Sequence, residues 1–85
     1  MIRVRCLGHI GTSVGAKEVE LQEDLIDAAD IVERLRSLSK EAEPGFTKYN
    51  TLVLVEDGEA FVPAEAKRMV HKGQCVVLIP FSHGG

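Results

Sequence analysis

Residues 75–85 constrain this 85-residue chain more than any other stretch. They read Cys-Val-Val-Leu-Ile-Pro-Phe-Ser-His-Gly-Gly, an apolar run rich in β-branched residues followed by a proline and a short end. Because Pro80 has no backbone N–H, the pattern predicts a buried strand that ends there. Gly84 and Gly85 carry no side chains, so a partner protein can thread them into a narrow site. We therefore expect one domain over residues 1–80 and a flexible Gly-Gly tail over residues 81–85.

Composition excludes several classes of protein. A hydrophobic content of 45% predicts a folded domain, and the ten basic residues form no cluster that would follow a nucleic-acid backbone. The longest apolar run is far shorter than the ~20 residues of a membrane helix. Arg3 and Arg5 interrupt the first apolar stretch, so we expect no signal peptide and a cytoplasmic protein. Cys6 and Cys75 are then expected to be reduced, and they are too few for a zinc site.

The first half of the chain predicts two strands and a helix. Apolar residues alternate over residues 2–6 and again over residues 18–21, which predicts a hairpin across a glycine-rich turn region at 8–15. Asp27 is suited to cap a helix that we expect to be stopped by residues 43–45, Glu-Pro-Gly. The apolar stripe of that helix consists of Ala28, Ile31, Val32, Leu35 and Leu38.

The second half predicts further strands. Residues 51–55 are apolar on both faces, and Asp57-Gly58 predicts a hairpin turn into a short strand at 60–62. Residues 64–70 predict one or two helical turns, and Lys72-Gly73 a turn into the final strand. This order allows the first and last strands to lie side by side and parallel.

The C-terminal run and the order of the elements together resemble a known family. Val76-x-Leu78-Ile79-Pro80-x-x-x-Gly84-Gly85 resembles the C-terminus of the MoaD/ThiS sulfur carriers. It is also similar to the archaeal small modifier proteins and to the eukaryotic ubiquitin-related modifier, some of which end in His-Gly-Gly. The resemblance implies an α+β fold of the β-grasp (ubiquitin-like) type, a mixed sheet of four to five strands packed on one main helix. Two departures are His71-Lys72-Gly73-Gln74 in place of a Lys-Asp-Gly-Asp-like turn, and Pro80-Phe81 in place of Pro-Pro.

The same resemblance implies a function for the C-terminal glycines. A ubiquitin-activating-type enzyme would use ATP to adenylate Gly85, which follows Gly84. The adenylate would become a thiocarboxylate or be conjugated to a lysine. The chain would then be a substrate and carrier, not an enzyme, with no metal and no bound cofactor of its own.

Three roles remain open within this family. Sulfur donation for molybdopterin synthesis would require a molybdopterin synthase large subunit as partner, of which the chain would be the small non-catalytic subunit. tRNA thiolation would require a sulfurtransferase, and protein conjugation would require lysines on target proteins. A thiazole-synthesis carrier fits less well, because those chains are usually shorter between helix and strand.

The final strand also predicts a docking surface. Its alternating side chains point to opposite faces, and a single long helix covers only one of them. By analogy with the family we assign Val76 and Leu78 to the core. The expected partner-docking residues are Val77, Ile79, Phe81 and His83. In the alternative interpretation, loops or residues 64–70 cover this face.

A different class of function also fits the sequence. A β-grasp interaction module would dock through its sheet and never have its terminus activated. A small enzyme has no support, because the three histidines are scattered and no catalytic constellation or phosphate-binding motif is present.

Overall fold

The computed structural model of the protein describes residues 1–56 and 58–81. The described part has two helices and six strands in an α+β arrangement. The helices are α1 (Gly8–Val14) and α2 (Ala28–Leu38). The strands are β1 (Ile2–Cys6), β2 (Glu18–Leu21), β3 (Leu25–Asp27), β4 (Thr51–Val55), β5 (Met69–His71) and β6 (Cys75–Pro80).

A mixed sheet of four strands, in the order β2-β1-β6-β4, forms the centre of the structure. β1 and β6 are parallel, with Val4 opposite Val76, and this confirms the expected pairing of the first and last strands. β2 and β4 run antiparallel to β1 and β6, respectively. Because β6 has a partner on both sides, it is a central strand, as its two-sided apolar character predicts.

Helix α2 begins as the sequence predicts and ends earlier. The Asp27 carboxylate accepts a hydrogen bond from the backbone N–H of Ala29 at 3.1 Å, which satisfies one donor of the first turn. The first four residues of the predicted stripe are buried, but Leu38 is 46% exposed. The helix stops there because Ser39 turns away to place its hydroxyl 2.5 Å from that of Ser13. The expectation that residues 43–45 stop this helix was therefore wrong.

The glycine-rich stretch between β1 and β2 forms a helix, which corrects the predicted turn region. Ile10 and Val14, four residues apart on the same face of α1, are both buried. Gly15 ends the helix in the left-handed conformation, with a φ of 86°, and its N–H donates to the carbonyl oxygen of Gly11. The second helix means that the sheet is not packed on one helix alone, since α1 contacts both β6 and α2.

The segment before β6 also differs from the prediction. One turn of the expected kind is present at its start, where the N–H of Ala66 donates to the carbonyl oxygen of Val62 at 3.2 Å. Met69–His71, at the end of the 64–70 segment in which a helical turn or two was expected, instead forms β5, which pairs with β3 in a separate two-stranded sheet. Val70 lies opposite Ile26 and both are buried, so pairing with β3 determines that this segment is a strand. The short strand expected at residues 60–62 is reduced to one antiparallel bridge between Phe61 and Val53. Asp57 of the predicted turn lies outside the described residues.

The core lies between the inner face of the four-stranded sheet and the two helices. Its largest fully buried side chain is Phe46, which comes from the connection between α2 and β4. Val76 and Leu78 of β6 and Ile31 and Leu35 of α2 belong to the same cluster. Within the part of the chain that the structure describes, no helix is long and apolar enough to cross a membrane.

Candidate functional site

The end of β6 is held on both sides by backbone contacts. On the β1 side, the N–H of Leu7 donates to the carbonyl oxygen of Leu78 at 3.1 Å. On the β4 side, the N–H of Phe81 donates to the carbonyl oxygen of Asn50 at 3.5 Å. Pro80 is the last residue of the strand, as predicted. The chain is therefore anchored up to Phe81, and residues 82–85 follow directly from the central strand of the sheet.

Three of the predicted site residues come after Phe81 in the sequence. His83, Gly84 and Gly85 lie outside the described residues, so their proposed roles stay predictions. Phe81, also assigned to partner docking, is half-buried.

The side chains of β6 alternate between two faces as predicted. Val76 and Leu78 are fully buried against the helices, whereas Val77 and Ile79 are only partly buried and point to the opposite side. This confirms the assignment of inward and outward residues.

The outward residues of β6 have apolar neighbours on β4. Leu54 lies opposite Val77, and Leu52 lies opposite Ile79, with all four side chains partly buried. We call these four residues the outer patch. It forms an apolar surface on the side of the sheet away from the core.

Arginine side chains border the outer patch on the β1 side. Arg5 lies opposite Val77 in the parallel register, and Arg3 lies opposite Cys75. The Arg3 guanidinium contacts the carboxylate of Glu18 on β2 at 3.3 Å. The outer face of the sheet is thus apolar over β4 and β6 and charged over β1 and β2.

A cleft opens where β1 passes into α1 and where β2 begins. It has a volume of about 750 Å³, and we call it the α1 cleft. Its lining includes Arg5, Leu7, Gly8, Gly11, Thr12 and Lys17. The sequence did not predict this cleft, because residues 8–15 were expected to form a turn region. The spacing of Ile10 and Val14 was the signal that would have shown a helix.

The two cysteines lie in different environments and both are free thiols. Burial raises the pKa of the Cys6 thiol to about 11, so this group stays protonated at neutral pH. Cys75 is exposed at the start of β6, where its N–H donates to the Glu56 carboxylate at 3.1 Å. The N–H of Glu56 donates in return to the carbonyl oxygen of Cys75, so these contacts close the β4–β6 pair at its far end.

Potential metal ligands are dispersed in this structure. Among residues 1–56 and 58–81, no group of three or more His, Cys, Asp or Glu side chains could hold a metal ion. His9 and His71 are exposed, and the ring Nδ1 of His71 lies 3.0 Å from the carbonyl oxygen of Lys72. The features that the described residues bring together are the anchored end of β6, the outer patch and the α1 cleft.

No protein-family model matches the sequence, and none of the curated proteins matches it significantly.

Proposed function

We propose that this protein is a β-grasp, ubiquitin-like carrier whose C-terminal Gly85 is activated by a partner enzyme. The observation that carries the proposal is the position at which β6 ends. A central strand, parallel to β1 and covered by helices on its inner face, ends at Pro80, and five residues ending in Gly84-Gly85 follow it. Such an arrangement presents a carboxylate without neighbouring side chains on a rigid support.

The chemistry proposed for Gly85 requires activation. A carboxylate resists nucleophiles because of its negative charge. In the partner's site, its oxygen would attack the α-phosphorus of ATP and release pyrophosphate, which leaves an acyl adenylate. Hydrosulfide would then attack the acyl carbon and displace AMP, which leaves a thiocarboxylate. Alternatively, transfer through a thiolate to a lysine amine would form an isopeptide bond.

The outer patch supports the docking part of this proposal. Leu52, Leu54, Val77 and Ile79 are adjacent across two strands, and the tail leaves from the same strand. A partner that binds this patch is therefore positioned to receive the tail in a neighbouring site. The expected partners are an adenylating enzyme and, according to the role, a molybdopterin synthase large subunit, a sulfurtransferase or target proteins.

The experiment that tests this proposal changes only the terminus. Adding one alanine after Gly85, or deleting Gly85, should abolish ATP–pyrophosphate exchange by the adenylating enzyme of the source organism. The fold should persist, because the change lies beyond β6. Ser82→Ala is the matched control, since it alters the tail but keeps its length and its terminal carboxylate. Normal exchange by the extended chain would contradict the proposal.

Mass analysis of protein from its native cells gives an independent test. A charged carrier should show a fraction that is heavier by one sulfur-for-oxygen exchange on the C-terminal peptide, located on Gly85 and not on Cys75. A Gly-Gly remnant on lysines of other proteins would instead identify a modifier. Absence of both species in cells that contain the activating enzyme would exclude the carrier function.

The second candidate is an interaction module that is never activated. The outer patch favours it as well, because an apolar sheet face can bind a partner without any chemistry at the terminus. The two functions differ in one measurable respect, since only the carrier loses its function when a residue is added after Gly85.

A further inference from the structure

Arg5 is an exposed cation at the border of the outer patch. Its neighbours along β1, Val4 and Cys6, are buried, so its side chain points to the outer face of the sheet. In the parallel register it lies opposite Val77, and neighbouring strands are about 4.8 Å apart. Leu7, two residues further along, has an extended backbone and is 38% exposed. Apolar side chains therefore adjoin Arg5 both across the sheet and along the chain.

The positive charge of Arg5 is not compensated within the part of the chain that the structure describes. Among residues 1–56 and 58–81, Arg5 takes part in no ion pair. Glu18 lies directly opposite it on β2, but the Glu18 carboxylate contacts the Arg3 guanidinium at 3.3 Å instead. Glu20, the other acidic residue of β2, lies opposite Arg3 as well. Both carboxylates of β2 are thus concentrated around Arg3, which leaves Arg5 free beside the outer patch.

This position of Arg5 restricts what can cover the outer patch. A protein that binds over Val77 also removes water from the adjacent guanidinium, and a desolvated cation without a partner is costly. The cost is offset when the binding protein supplies an acceptor at that point. A carboxylate is the best acceptor, because its two oxygens match the planar donors of a guanidinium. A surface that places a cation or only apolar groups against Arg5 is therefore disfavoured.

We propose that Arg5 selects the partner of the outer patch, and that the adenylating enzyme places an Asp or Glu carboxylate on the Arg5 guanidinium while its apolar surface covers the patch. This inference rests on the proposed function, since it takes the adenylating enzyme to be the protein that binds the patch. Glu18 competes only weakly for Arg5, because its side chain is 47% exposed and exposed ion pairs contribute little. Arg5 is a positioning residue, and it takes no part in the chemistry at Gly85.

The test measures ATP–pyrophosphate exchange by the adenylating enzyme of the source organism at increasing concentrations of this protein. Arg5→Gln should raise the KM for this protein about tenfold and leave kcat unchanged, because Arg5 contributes to docking and not to the reaction. Urea unfolding of Arg5→Gln should have the same midpoint as that of the unaltered protein, since the side chain is exposed and makes no ion pair with the described residues.

Lys72→Gln provides the matched control, because it removes the same charge at an exposed position. Gly73, its neighbour, donates to the carbonyl oxygen of Met1, at the opposite end of β1 from Leu7. The KM of Lys72→Gln should equal that of the unaltered protein. At about 0.5 M salt, the ratio between the KM values of Arg5→Gln and the unaltered protein should fall severalfold, because salt screens the attraction between the two charges.

Four results would overturn the inference. An unchanged KM of Arg5→Gln would show that no carboxylate of the enzyme contacts Arg5, and an equal rise for Lys72→Gln would show that only net charge matters. A KM ratio that is the same at high salt would mean that Arg5 contributes packing and not charge. A lower kcat at unchanged KM would assign Arg5 to a step after docking. Each of these results leaves the proposed function in place, because exchange is still observed, whereas absence of exchange with the unaltered protein would remove both.

Discussion

Gly11 shows how a single residue is determined by its surroundings. It lies inside α1, where a Cβ would be 2.7 Å from the carbonyl oxygen of Cys6 and 3.3 Å from that of Ala16. The chain passes so closely because α1 folds back directly over the end of β1. A glycine within a helix usually costs about 1 kcal/mol relative to alanine. Here the lack of a side chain is what allows the helix to be placed.

We predict that Gly11→Ala destabilises the protein although it improves helix propensity. The added methyl group must displace backbone, so the free energy of unfolding should fall by about 1–3 kcal/mol. Gly45→Ala is the control, because a Cβ there meets no atom within 4 Å. Its effect should be within about 1 kcal/mol and can be stabilising. Urea unfolding of both variants measures the difference, and a stabilised Gly11→Ala would show that the Cys6 carbonyl oxygen leaves room for a methyl group at residue 11.

Cys6 illustrates the effect of burial on a titrating residue. Cys6 is 4% exposed, and burial raises the pKa of its thiol from 9.0 to about 11. The folded state therefore binds the thiol proton more tightly than the unfolded state. The resulting stabilisation is complete below pH 9 and is lost as the pH rises from about 9 to about 11.

We predict that this loss is of order 2 kcal/mol and is specific to Cys6. Urea unfolding at pH 8 and pH 10.5 should show a larger decrease for the natural sequence than for Cys6→Ala. The variant also reports the contribution of the other groups that titrate in this range. Equal decreases in the two proteins would mean that the Cys6 thiol is not desolvated in the folded state.

At the scale of secondary structure elements, β6 separates residues that form the core from residues that we propose to bind a partner. One face of the strand contributes Val76 and Leu78 to the core, and the other contributes Val77 and Ile79 to the outer patch. Val76 and Val77 are neighbours in the sequence but lie on opposite faces of the sheet. Substituting each of them with the same amino acid therefore distinguishes the core face from the outer patch. The strand can perform both roles because α1 and α2 lie on one side of the sheet only.

We predict opposite results for Val76→Asp and Val77→Asp. At Val76 the carboxylate would be buried without a partner, which costs more than about 4 kcal/mol and approaches the ~4–13 kcal/mol expected for a domain of this size. Val77→Asp should cost about 1 kcal/mol, since part of the valine surface is already in water. Circular dichroism should show an unfolded protein only for Val76→Asp. Unfolding of Val77→Asp would contradict the two-face assignment.

The folded variant then tests docking. Val77→Asp should weaken binding to the adenylating enzyme, because a partner would have to desolvate the new charge within the outer patch. Lys72→Asp places the same side chain far from the patch and should bind normally. Unchanged affinity of Val77→Asp would exclude the outer patch as the docking surface.

At the scale of the whole molecule, the two sheets differ in how they are supported. β6 is hydrogen-bonded on both sides within the four-stranded sheet, whereas β3 and β5 have only each other. A two-stranded ribbon is marginal alone, and this one depends on packing of Ile26 and Val70 into the core.

We predict that this difference appears in amide hydrogen exchange. The amides of Val76 and Val77 should exchange only on global unfolding, whereas those of Ile26 and Val70 should exchange at least tenfold faster through local opening. Native-state exchange followed by NMR measures both groups in one sample. Equal rates would mean that the ribbon and the four-stranded sheet unfold as one unit.

Much of the fold follows from local patterns in the sequence. Alternation predicts β1 and its buried face, because a strand with one covered side has a period of two. The apolar stripe that starts at Ala28 and the Asp27 cap predict where α2 begins, and Pro80 predicts where β6 ends. The inner and outer faces of β6 also follow from alternation. For the proposed site, the sequence determines the chemistry of Gly84 and Gly85 and the composition of the outer patch.

Tertiary contacts decided what these local patterns left open. Helix α1 forms over a glycine-rich stretch because α2 and β6 provide a core for Ile10 and Val14. β5 forms because Val70 pairs with Ile26, which is distant in the sequence. The residues around Val70 contain no pattern that would predict this pairing. The contact between Ser39 and Ser13 likewise ends α2 before the proline. The α1 cleft is a product of the same contacts, since the position of α1 against β1 and β2 depends on residues distant in sequence.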